Sequence, residues 1–153
     1  MPTRNVLIAI NESQHSKRAF DWYLDRMRMP GDQVLLAHVV EGAQIPAPTL
    51  AHGPSHSREE WDDMMNRLME AASKVTGKYE EQCNEVQLEH KTLSAVGGIG
   101  EAICEMVKNN DADLVIIGNR GLGTIRRTLL GSVSDYIVQH SDVPVLVVPP
   151  KSG

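Results

Sequence analysis

Short apolar runs recur along this chain at intervals that suit the strands of a single sheet. Four of them are nearly continuous stretches of Val, Ile, Leu and Ala, as expected for parallel strands that are covered on both faces. These four span Asn5 to Ile10, Gln33 to Val40, Leu114 to Gly118 and Val143 to Val148. A fifth segment, Glu85 to Ala95, alternates apolar and charged residues, which predicts an edge strand with one side in water.

Between these runs, apolar residues recur at the three- and four-residue spacing of amphipathic helices. The first predicted helix is capped by Ser16 and ends at Met29, before Pro30 and Gly31. The other helices carry apolar faces over Trp61 to Val75, Ile99 to Val107 and Ser132 to His140. Strands and helices that alternate in this way predict a doubly wound α/β domain, with a parallel sheet between two helical layers. We expect residues 1–153 to form this single domain, with Gly42 to Ser57 as its one long loop.

Composition and charge narrow the classes of function. The 153 residues include 15 Lys and Arg against 20 Asp and Glu, a net charge of -5, which argues against general binding to nucleic acid or to an anionic membrane surface. No apolar run approaches the roughly 20 residues that cross a bilayer, and the first residues lack the layout of a signal peptide. Cys83 and Cys104 are too few for a disulfide framework, so we expect packed thiols in a reduced, cytoplasmic setting.

The segment from Val115 to Ser134 carries the most informative chemistry in the sequence. Glycines let the backbone approach a ligand closely, and the start of a helix presents unpaired N–H groups and the positive end of its dipole. Gly118 and Gly121 could therefore admit a ribose and the first phosphates of a nucleotide, and Arg120 adds positive charge. The donors around the remaining phosphates would come from Gly131, Ser132, Val133 and Ser134.

The same residues also allow a simpler interpretation, a plain turn followed by a helix cap. Ser132 and Asp135 have the spacing of a capping box, which forms with or without a ligand. Two common nucleotide motifs are missing, because the chain has no GxxxxGK[ST] phosphate loop and no GxGxxG after its first strand. Spacing alone therefore leaves both interpretations open.

Beyond spacing, the residue pattern resembles the universal stress protein family, and in particular its ATP-binding branch. Members of that branch carry G-x2-G-x9-G-[ST], and this chain has Gly118, Gly121, Gly131 and Ser132 at that spacing. Three further segments look like the family: IAINESQHSKRAFDWYL, LLAHVVE and GNRGLGTIRRTLLGSVSDYIVQHSDVPVLVV. The resemblance implies a Rossmann-like, adenine nucleotide hydrolase-like sandwich, in which five parallel strands have the order 3-2-1-4-5.

The resemblance also implies a ligand and the residues that contact it. The ligand would be ATP, with or without Mg²⁺, and AMP or another adenine nucleotide stays open. The adenine and ribose would be lined by Ile10, Asn11 and Val39, the ribose and α-phosphate by Gly118, Asn119 and Gly121, and the β- and γ-phosphates by Gly131, Ser132, Val133 and Ser134. The family also commonly pairs its last strand across a two-fold axis, which implies a homodimer through Val143 to Val148.

One position departs from the family pattern. The family usually has Asp after the first strand, whereas this chain has Asn11. An amide can still bond to a ribose hydroxyl, but it lacks the charge that Mg²⁺ ligation favours. We therefore assign no catalytic residue and no metal ligand, and expect a nucleotide-dependent regulatory module of the stress response with at most slow ATP hydrolysis. The alternatives are a ligand-free dimeric adaptor and an ATP-cleaving transferase or ligase of the related α/β class.

Other polar residues near these segments receive structural interpretations. We expect His38 to be a packed, hydrogen-bonded residue within the second strand, and His15 to be an exposed residue of the first helical turn. Asp111 and Asp113 flank the start of the fourth strand, so they should lie at the sheet edge opposite the site. Asp135 is expected to cap its own helix.

Overall fold

A five-stranded parallel sheet forms the centre of the molecule, with the strand order β3-β2-β1-β4-β5. The computed structural model describes residues 3–41, 58–119 and 130–150. The strands are β1 Asn5–Ala9, β2 Gln33–Glu41, β3 Glu89–Gly97, β4 Leu114–Gly118 and β5 Val145–Val148. Both the doubly wound α/β class and the order 3-2-1-4-5 are therefore confirmed.

Two helices cover each face of the sheet. The helices are α1 Gln14–Trp22, which continues into a π-helical turn over Tyr23–Met27, α2 Arg58–Glu85, α3 Ile99–Asn109 and α4 Ser132–His140. One cluster of buried side chains joins the sheet to α1 and α2, and a second joins it to α3 and α4. Within the described ranges, no helix combines the length and apolarity needed to cross a membrane.

Strand β1 lies at the centre of both clusters. Val6 and Ile8 pack toward α1 and α2, whereas Leu7 packs toward α3 and α4, and all three side chains are fully buried. Burial of each such side chain contributes about 1.5–3 kcal/mol, so the continuous apolar run in the sequence reflects a strand without a wet side. By contrast, side-chain exposure alternates along much of β3, which confirms the predicted edge strand.

The structure moves the predicted starts of two strands. Strand β3 begins at Glu89 rather than Glu85, because α2 continues through Glu85 and the chain then turns at Gln87, where φ is +52°. Strand β5 begins after Pro144, which has no N–H to donate to a neighbouring strand. The predicted loop from Gly42 to Ser57 lies outside the described residues.

The cap of the first helix also differs from the prediction. Ser13 rather than Ser16 caps α1, since the Ser13 hydroxyl oxygen accepts the Ser16 N–H at 3.3 Å. Ser16 lies inside the first turn and is buried, with its hydroxyl 2.8 Å from the phenol oxygen of Tyr79 on α2. The sequence pattern missed this because Ser13 and Ser16 are both good capping residues and only the fold decides between them.

A buried ion pair ties the amino-terminal edge of the sheet together. The carboxylate of Asp32 accepts hydrogen bonds from the Arg4 guanidinium at 2.8 and 2.9 Å, the Tyr23 hydroxyl at 2.7 Å and the Met29 N–H at 3.0 Å. Its side chain is only 1% exposed. Burial alone would raise the pKa of Asp32, but the hydrogen bonds from Arg4, Tyr23 and Met29 outweigh it and hold that pKa below its usual value.

Substitution of Asp32→Asn should lower the free energy of unfolding by about 2–4 kcal/mol at pH 7, because it leaves a guanidinium without its counter-charge in a partly buried site. Chemical denaturation measures the difference. The depressed pKa means that this stabilisation is present above about pH 4 and is lost as the pH falls through the lower pKa of the folded state. The difference in unfolding free energy between wild type and Asp32→Asn should therefore become smaller in acid.

The matched control is Asp21→Asn, which breaks an exposed pair between Asp21 and Lys17 one turn away on the same helix. Such surface pairs contribute about 0.5 kcal/mol or less. An equal loss of unfolding free energy in the two variants would contradict the role assigned to the buried carboxylate. So would a difference in unfolding free energy between wild type and Asp32→Asn that does not change with pH.

Candidate functional site

The carboxyl-terminal ends of β1, β2 and β4 meet at one edge of the sheet. Ala9 of β1 is in register with Ala37 of β2, and Ile8 is in register with Ile116 of β4. The chain leaves β1 toward β2 on one side and returns to β4 on the other, so this edge contains the topological switch point at which such sheets bind ligands. The predicted site residues at positions 10, 11, 39, 118 and 119 all lie at or near these strand ends.

Asn119 links the end of β4 to the start of α4. Its backbone N–H donates to the Val148 carbonyl at 2.9 Å, and its side-chain oxygen accepts the Gly131 N–H at 3.0 Å. The side chain is buried, which is uncommon for an amide unless its polar atoms are bonded. Asn119 thus holds the two ends of the intervening segment together. The predicted residues Arg120 and Gly121 belong to that segment and lie outside the described residues.

The first turn of α4 is left without a side-chain cap. Gly131 occupies the N-cap position, and the first helical hydrogen bond runs from the Asp135 N–H to the Gly131 carbonyl at 2.9 Å. The predicted capping box of Ser132 and Asp135 is wrong, because the Asp135 carboxylate instead accepts a hydrogen bond from Gln139, one turn further along. The N–H groups of Ser132, Val133 and Ser134 therefore have no acceptor within the helix.

The side chains around this helix start differ in exposure. Ser132 is exposed, Val133 is half-buried against the core shared by α3 and α4, and Ser134 is buried. The backbone at Gly131 is extended, with φ at -63° and ψ at 158°. Backbone donors rather than side chains are thus the main polar groups that this helix start offers to an anion.

Asn11 forms the turn between β1 and α1. Its side-chain oxygen accepts hydrogen bonds from the Ser13 N–H at 2.8 Å and the Ser13 hydroxyl at 2.6 Å, and its own N–H donates to the Ser16 hydroxyl at 3.0 Å. The amide oxygen is therefore already used inside the protein. The amide nitrogen is the group that Asn11 can offer to a ligand, as a hydrogen-bond donor.

Ile10 and Val39, the other two residues predicted from the first two strands, differ in whether their side chains reach the cavity. Ile10 is 3% exposed and belongs to the core under α1 and α2, so its side chain faces the interior. Its N–H donates to the Ala37 carbonyl at 2.9 Å. Val39 is half-buried and lines a cavity at the end of β2, as Asn11 does.

That cavity has a volume of about 880 Å³ and opens above the ends of β1 and β2. Small-molecule sites commonly enclose about 300–1,000 Å³, so its size suits a nucleotide. One wall consists of a single face of α2, with Leu68, Ala72, Val75 and Tyr79. In the sequence this face has only the spacing of an amphipathic helix, and such spacing does not say whether a face meets other side chains or a cavity.

Two histidines lie near the site. His38 is buried, as expected of a packed residue, and it lines the cavity, whereas its Nδ1 makes no hydrogen bond to any described residue. Burial lowers its pKa, while Glu12 opposes the change, and the ring is therefore neutral at pH 7. His15 is half-buried rather than exposed, and its ring nitrogen lies 2.7 Å from the Arg18 guanidinium.

Other titratable groups lie where packing places them. Burial raises the pKa of the Cys83 thiol to about 11, and it raises the pKa of the half-buried Cys104 thiol as well, which fits packed, unreactive cysteines. Asp111 and Asp113 flank the start of β4 at the opposite sheet edge, where the Asp113 carboxylate accepts the Asn5 N–H. Among residues 3–41, 58–119 and 130–150, no three His, Cys, Asp or Glu side chains are placed to hold a metal ion.

Gly118 is required by packing, whether or not a ligand is bound. A Cβ at this position would lie 2.1 Å from the backbone oxygen of His15, in the first turn of α1. From the sequence, the expected reason for this glycine is the close approach of a ribose. The structure adds a second reason, which is that the end of β4 and the start of α1 touch through their backbones.

The fold and the strand-end cavity define a doubly wound α/β domain with a ligand-sized cavity at its carboxyl edge. A model of the Universal stress protein family matches residues 2–149. The chain belongs to the universal stress protein family, which confirms the resemblance seen in its sequence.

Individual relatives agree with this assignment. Universal stress protein MJ0577 of Methanocaldococcus jannaschii is 27% identical over 132 residues, covering 82% of each chain. The solved structure of MJ0577 has a TM-score of 0.80 at 23% identity and covers 100% of both chains. A universal stress protein family protein from Arabidopsis thaliana with AMP bound has a TM-score of 0.70 at 24% identity, covering 99% of this chain and 94% of that one. A universal stress protein in complex with cAMP has a TM-score of 0.59 at 22% identity, covering 99% and 100%.

Substitution of Gly118→Ala should lower the free energy of unfolding by about 2–3 kcal/mol, because the added methyl group forces the start of α1 away from β4. Gly131→Ala is the matched control, since a Cβ there would meet only the Asn119 side-chain oxygen, at an ordinary 3.5 Å. Replacing a glycine at the N-cap by alanine costs less, about 0.5–1 kcal/mol, which reflects the poorer capping preference of alanine. Urea denaturation of both variants measures the difference, and equal stabilities would rule out the close contact.

Proposed function

We propose that this universal stress protein binds an adenine nucleotide, ATP in the first place, at the carboxyl edge of its sheet. In this proposal it is a cytoplasmic regulatory module of the stress response whose state depends on the bound nucleotide. Family membership supports the proposal, as do the AMP-bound and cAMP-bound members that share its fold. The glycine spacing of the ATP-binding branch in this chain favours ATP over those smaller ligands.

The observation that carries the proposal is the open first turn of α4. The hydrogen bond from Gly131 to Asn119 fixes the position of this turn against the end of β4, while the next three N–H groups keep no partner in the helix. Such a helix start attracts phosphate through its donors and its dipole. Gly131, Ser132, Val133 and Ser134 would hold the β- and γ-phosphates.

The adenosine would lie toward β1 and β2. Val39 would contact the adenine from the cavity wall, Asn11 would donate to the ribose through its amide nitrogen, and Ile10 would contribute backbone rather than its buried side chain. The α-phosphate would pass the end of β4, next to the four residues Gly118, Asn119, Arg120 and Gly121.

The same geometry favours holding ATP over consuming it. A Mg²⁺ ion prefers charged oxygen ligands, whereas Asn11 is neutral and its one oxygen is already bonded to Ser13. Efficient phosphoryl transfer also needs a positioned base or water-orienting group. Any Mg²⁺ would thus be coordinated mainly by phosphate oxygens, and ATP hydrolysis would be slow.

Substitution of Gly131→Val should weaken ATP affinity at least tenfold, about 1.4 kcal/mol, because the branched side chain would stand at the start of α4 where the phosphates approach. Calorimetric titration with ATP, AMP and cAMP measures affinity and ranks the ligands. Gly77→Val is the matched control, since Gly77 is exposed on α2 and has no atom within 4 Å of the added Cβ.

Two results would contradict the proposal. The absence of heat and of a thermal shift at millimolar ATP would favour the ligand-free adaptor. An equal loss of ATP affinity in Gly131→Val and Gly77→Val would mean that the phosphates do not bind at the start of α4. Prolonged incubation with ATP addresses turnover, since rapid release of AMP would instead favour the ATP-cleaving transferase or ligase.

The edge position of β5 supports a further proposal, a homodimer through Val143 to Val148. This strand pairs with β4 on one side, and within the described sheet its other side has no partner strand. Val145, Leu146 and Val147 remain half-buried. An apolar edge strand of this kind readily pairs with a second copy of itself.

Light scattering should give twice the chain mass of 16.9 kDa for the wild type, and the mass of one chain for Val147→Lys. A lysine on an edge strand disfavours edge-to-edge pairing because its charge would be desolvated. Lys91→Gln on the opposite edge strand, β3, is a control that should remain dimeric. A wild-type monomer at high concentration would overturn the dimer, and a dimeric Val147→Lys would move its interface away from β5.

A further inference from the structure

The start of α3 forms part of the cavity above the strand ends. Ile99, the first residue of this helix, lines the cavity together with Asn11 and Val39, the residues proposed to contact the adenosine. Strand β3 ends at Gly97, in register with Glu41 of β2, so α3 begins at the carboxyl edge of the sheet. Ile99 thus offers a second apolar surface to an adenine that lies against Val39.

No side-chain cap fixes this helix start. The chain enters α3 through Gly97, whose φ of +144° lies in the region that favours glycine, and through Gly98, which occupies the N-cap position without a side-chain hydrogen bond. A glycine cap leaves the first N–H groups of the helix without a side-chain acceptor. The position of Ile99 therefore depends on what packs against the first turn of α3.

Tyr136 of α4 packs against that turn. A Cβ added at Gly100 would lie 2.6 Å from Cδ1 and 3.2 Å from Cβ of Tyr136, so the tyrosine lies directly on the backbone of α3. The tyrosine ring also stacks on His140, with 4.0 Å between the ring centroids and 20° between the ring planes. Tyr136 is thus in contact both with α3, next to Ile99, and with a side chain of its own helix.

Tyr136 lies one turn beyond the proposed phosphate-binding start of α4. It follows Ser132 by four residues, which is about 6 Å along the helix axis. Helices α3 and α4 also share a buried core, to which Ile103 and Ile137 belong. Because such cores are close-packed, a displacement of the start of α4 is transmitted to the start of α3 through Tyr136.

From these contacts we infer that Tyr136 is a positioning residue of the nucleotide site, which fixes Ile99 relative to the start of α4. This role rests on the proposed function, in which the phosphates lie at α4 and the adenine lies beside Val39. Tyr136 does not line the cavity, so it acts through α3 rather than on the adenosine. It sets the spacing between two binding surfaces, which allows both ends of one ATP molecule to be held at once.

Calorimetric titration of the purified full chain with ATP and with inorganic tripolyphosphate tests this role. Tyr136→Ala should weaken ATP binding about tenfold and leave tripolyphosphate binding within about twofold of wild type, because tripolyphosphate contacts only the start of α4. Tyr136→Phe should restore the ATP affinity, since the ring and Cβ rather than the hydroxyl contact Gly100. Equal weakening of both ligands in Tyr136→Ala would mean that Tyr136 merely supports α4, and would overturn its positioning role.

Gly100→Ala displaces the tyrosine ring without removing it. The added methyl group cannot fit beside Tyr136, so ATP should again bind several-fold more weakly while tripolyphosphate binding stays unchanged. Gly77→Ala is the matched control, a glycine of α2 with no atom within 4 Å of the added Cβ, and it should bind ATP as the wild type does. The same ATP affinity in Gly100→Ala and Gly77→Ala would overturn the role of this contact.

A double-mutant cycle measures whether Tyr136 acts through Ile99. Ile99→Ala should weaken ATP binding several-fold. The double variant of Ile99→Ala and Tyr136→Ala should bind ATP little more weakly than Tyr136→Ala alone, because a truncated Ile99 no longer gains from correct placement. Additive losses of binding free energy would overturn the proposed route through Ile99.

Loss of this role and loss of the proposed function have different signatures. No ATP binding by the wild type would overturn the proposed function and the role of Tyr136 with it, whereas unchanged ATP affinity in Tyr136→Ala would overturn only the latter. Wild-type binding of ATP without binding of tripolyphosphate would contradict the placement of the phosphates on which the role depends. Ile137→Val, in the buried core on the same helix, should lower the Tm by a few degrees and keep the ATP affinity, so a general loss of stability is distinguished.

Discussion

The contact between Gly118 and His15 constrains much of this structure. Where β4 ends, the backbone of α1 lies so close that no side chain can be accommodated at position 118. Helix α1 must follow β1 directly and β4 must lie beside β1, so this single contact requires the two strands and the helix to be correctly placed at once. Asn119, directly after β4, then faces the start of α4, where its side chain accepts the Gly131 N–H.

The two ends of the sheet differ in how their polar groups are bonded. At the amino-terminal edge, the Asp32 carboxylate accepts hydrogen bonds from Arg4, Tyr23 and the Met29 N–H, which fix the position of the chain where it enters β2. At the carboxyl-terminal edge, the first N–H groups of α4 have no acceptor within the helix, and Nδ1 of the buried His38 has no partner among the described residues. Unpaired donors lower stability but remain available to a ligand, whereas the Asp32 carboxylate makes its bonds within the protein.

Sequence reasoning succeeded where one local rule determines the structure. The continuous apolar run of Leu114–Gly118 has the boundaries of β4 as predicted, because a strand buried on both faces has no alternative pattern. The family spacing of glycines supplied the strand order, since pairing between distant strands has no local signature in one sequence.

The failures have tertiary causes. Ser13 and Ser16 are equally good caps, and only the position of Tyr79 decides that Ser16 is buried. The capping box at Ser132 does not form, because Gly131 occupies the N-cap position, where its N–H donates to Asn119 from a distant part of the sequence, and Asp135 bonds to Gln139. The cavity wall on α2 was read as core, since helical spacing reports an apolar face without reporting what the face meets.

The pairing of β1 with β4 has a consequence for how the molecule folds. The hydrogen bond from Asn5 to Asp113 joins residues 108 positions apart, so the central seam of the sheet closes only after most of the chain is available. Contacts of such long range slow folding, because the entropy of the closed chain is lost before the contacts compensate. The seam between β1 and β4 therefore assembles late. A ligand that binds at the ends of these two strands would recognise only chains whose folding is complete.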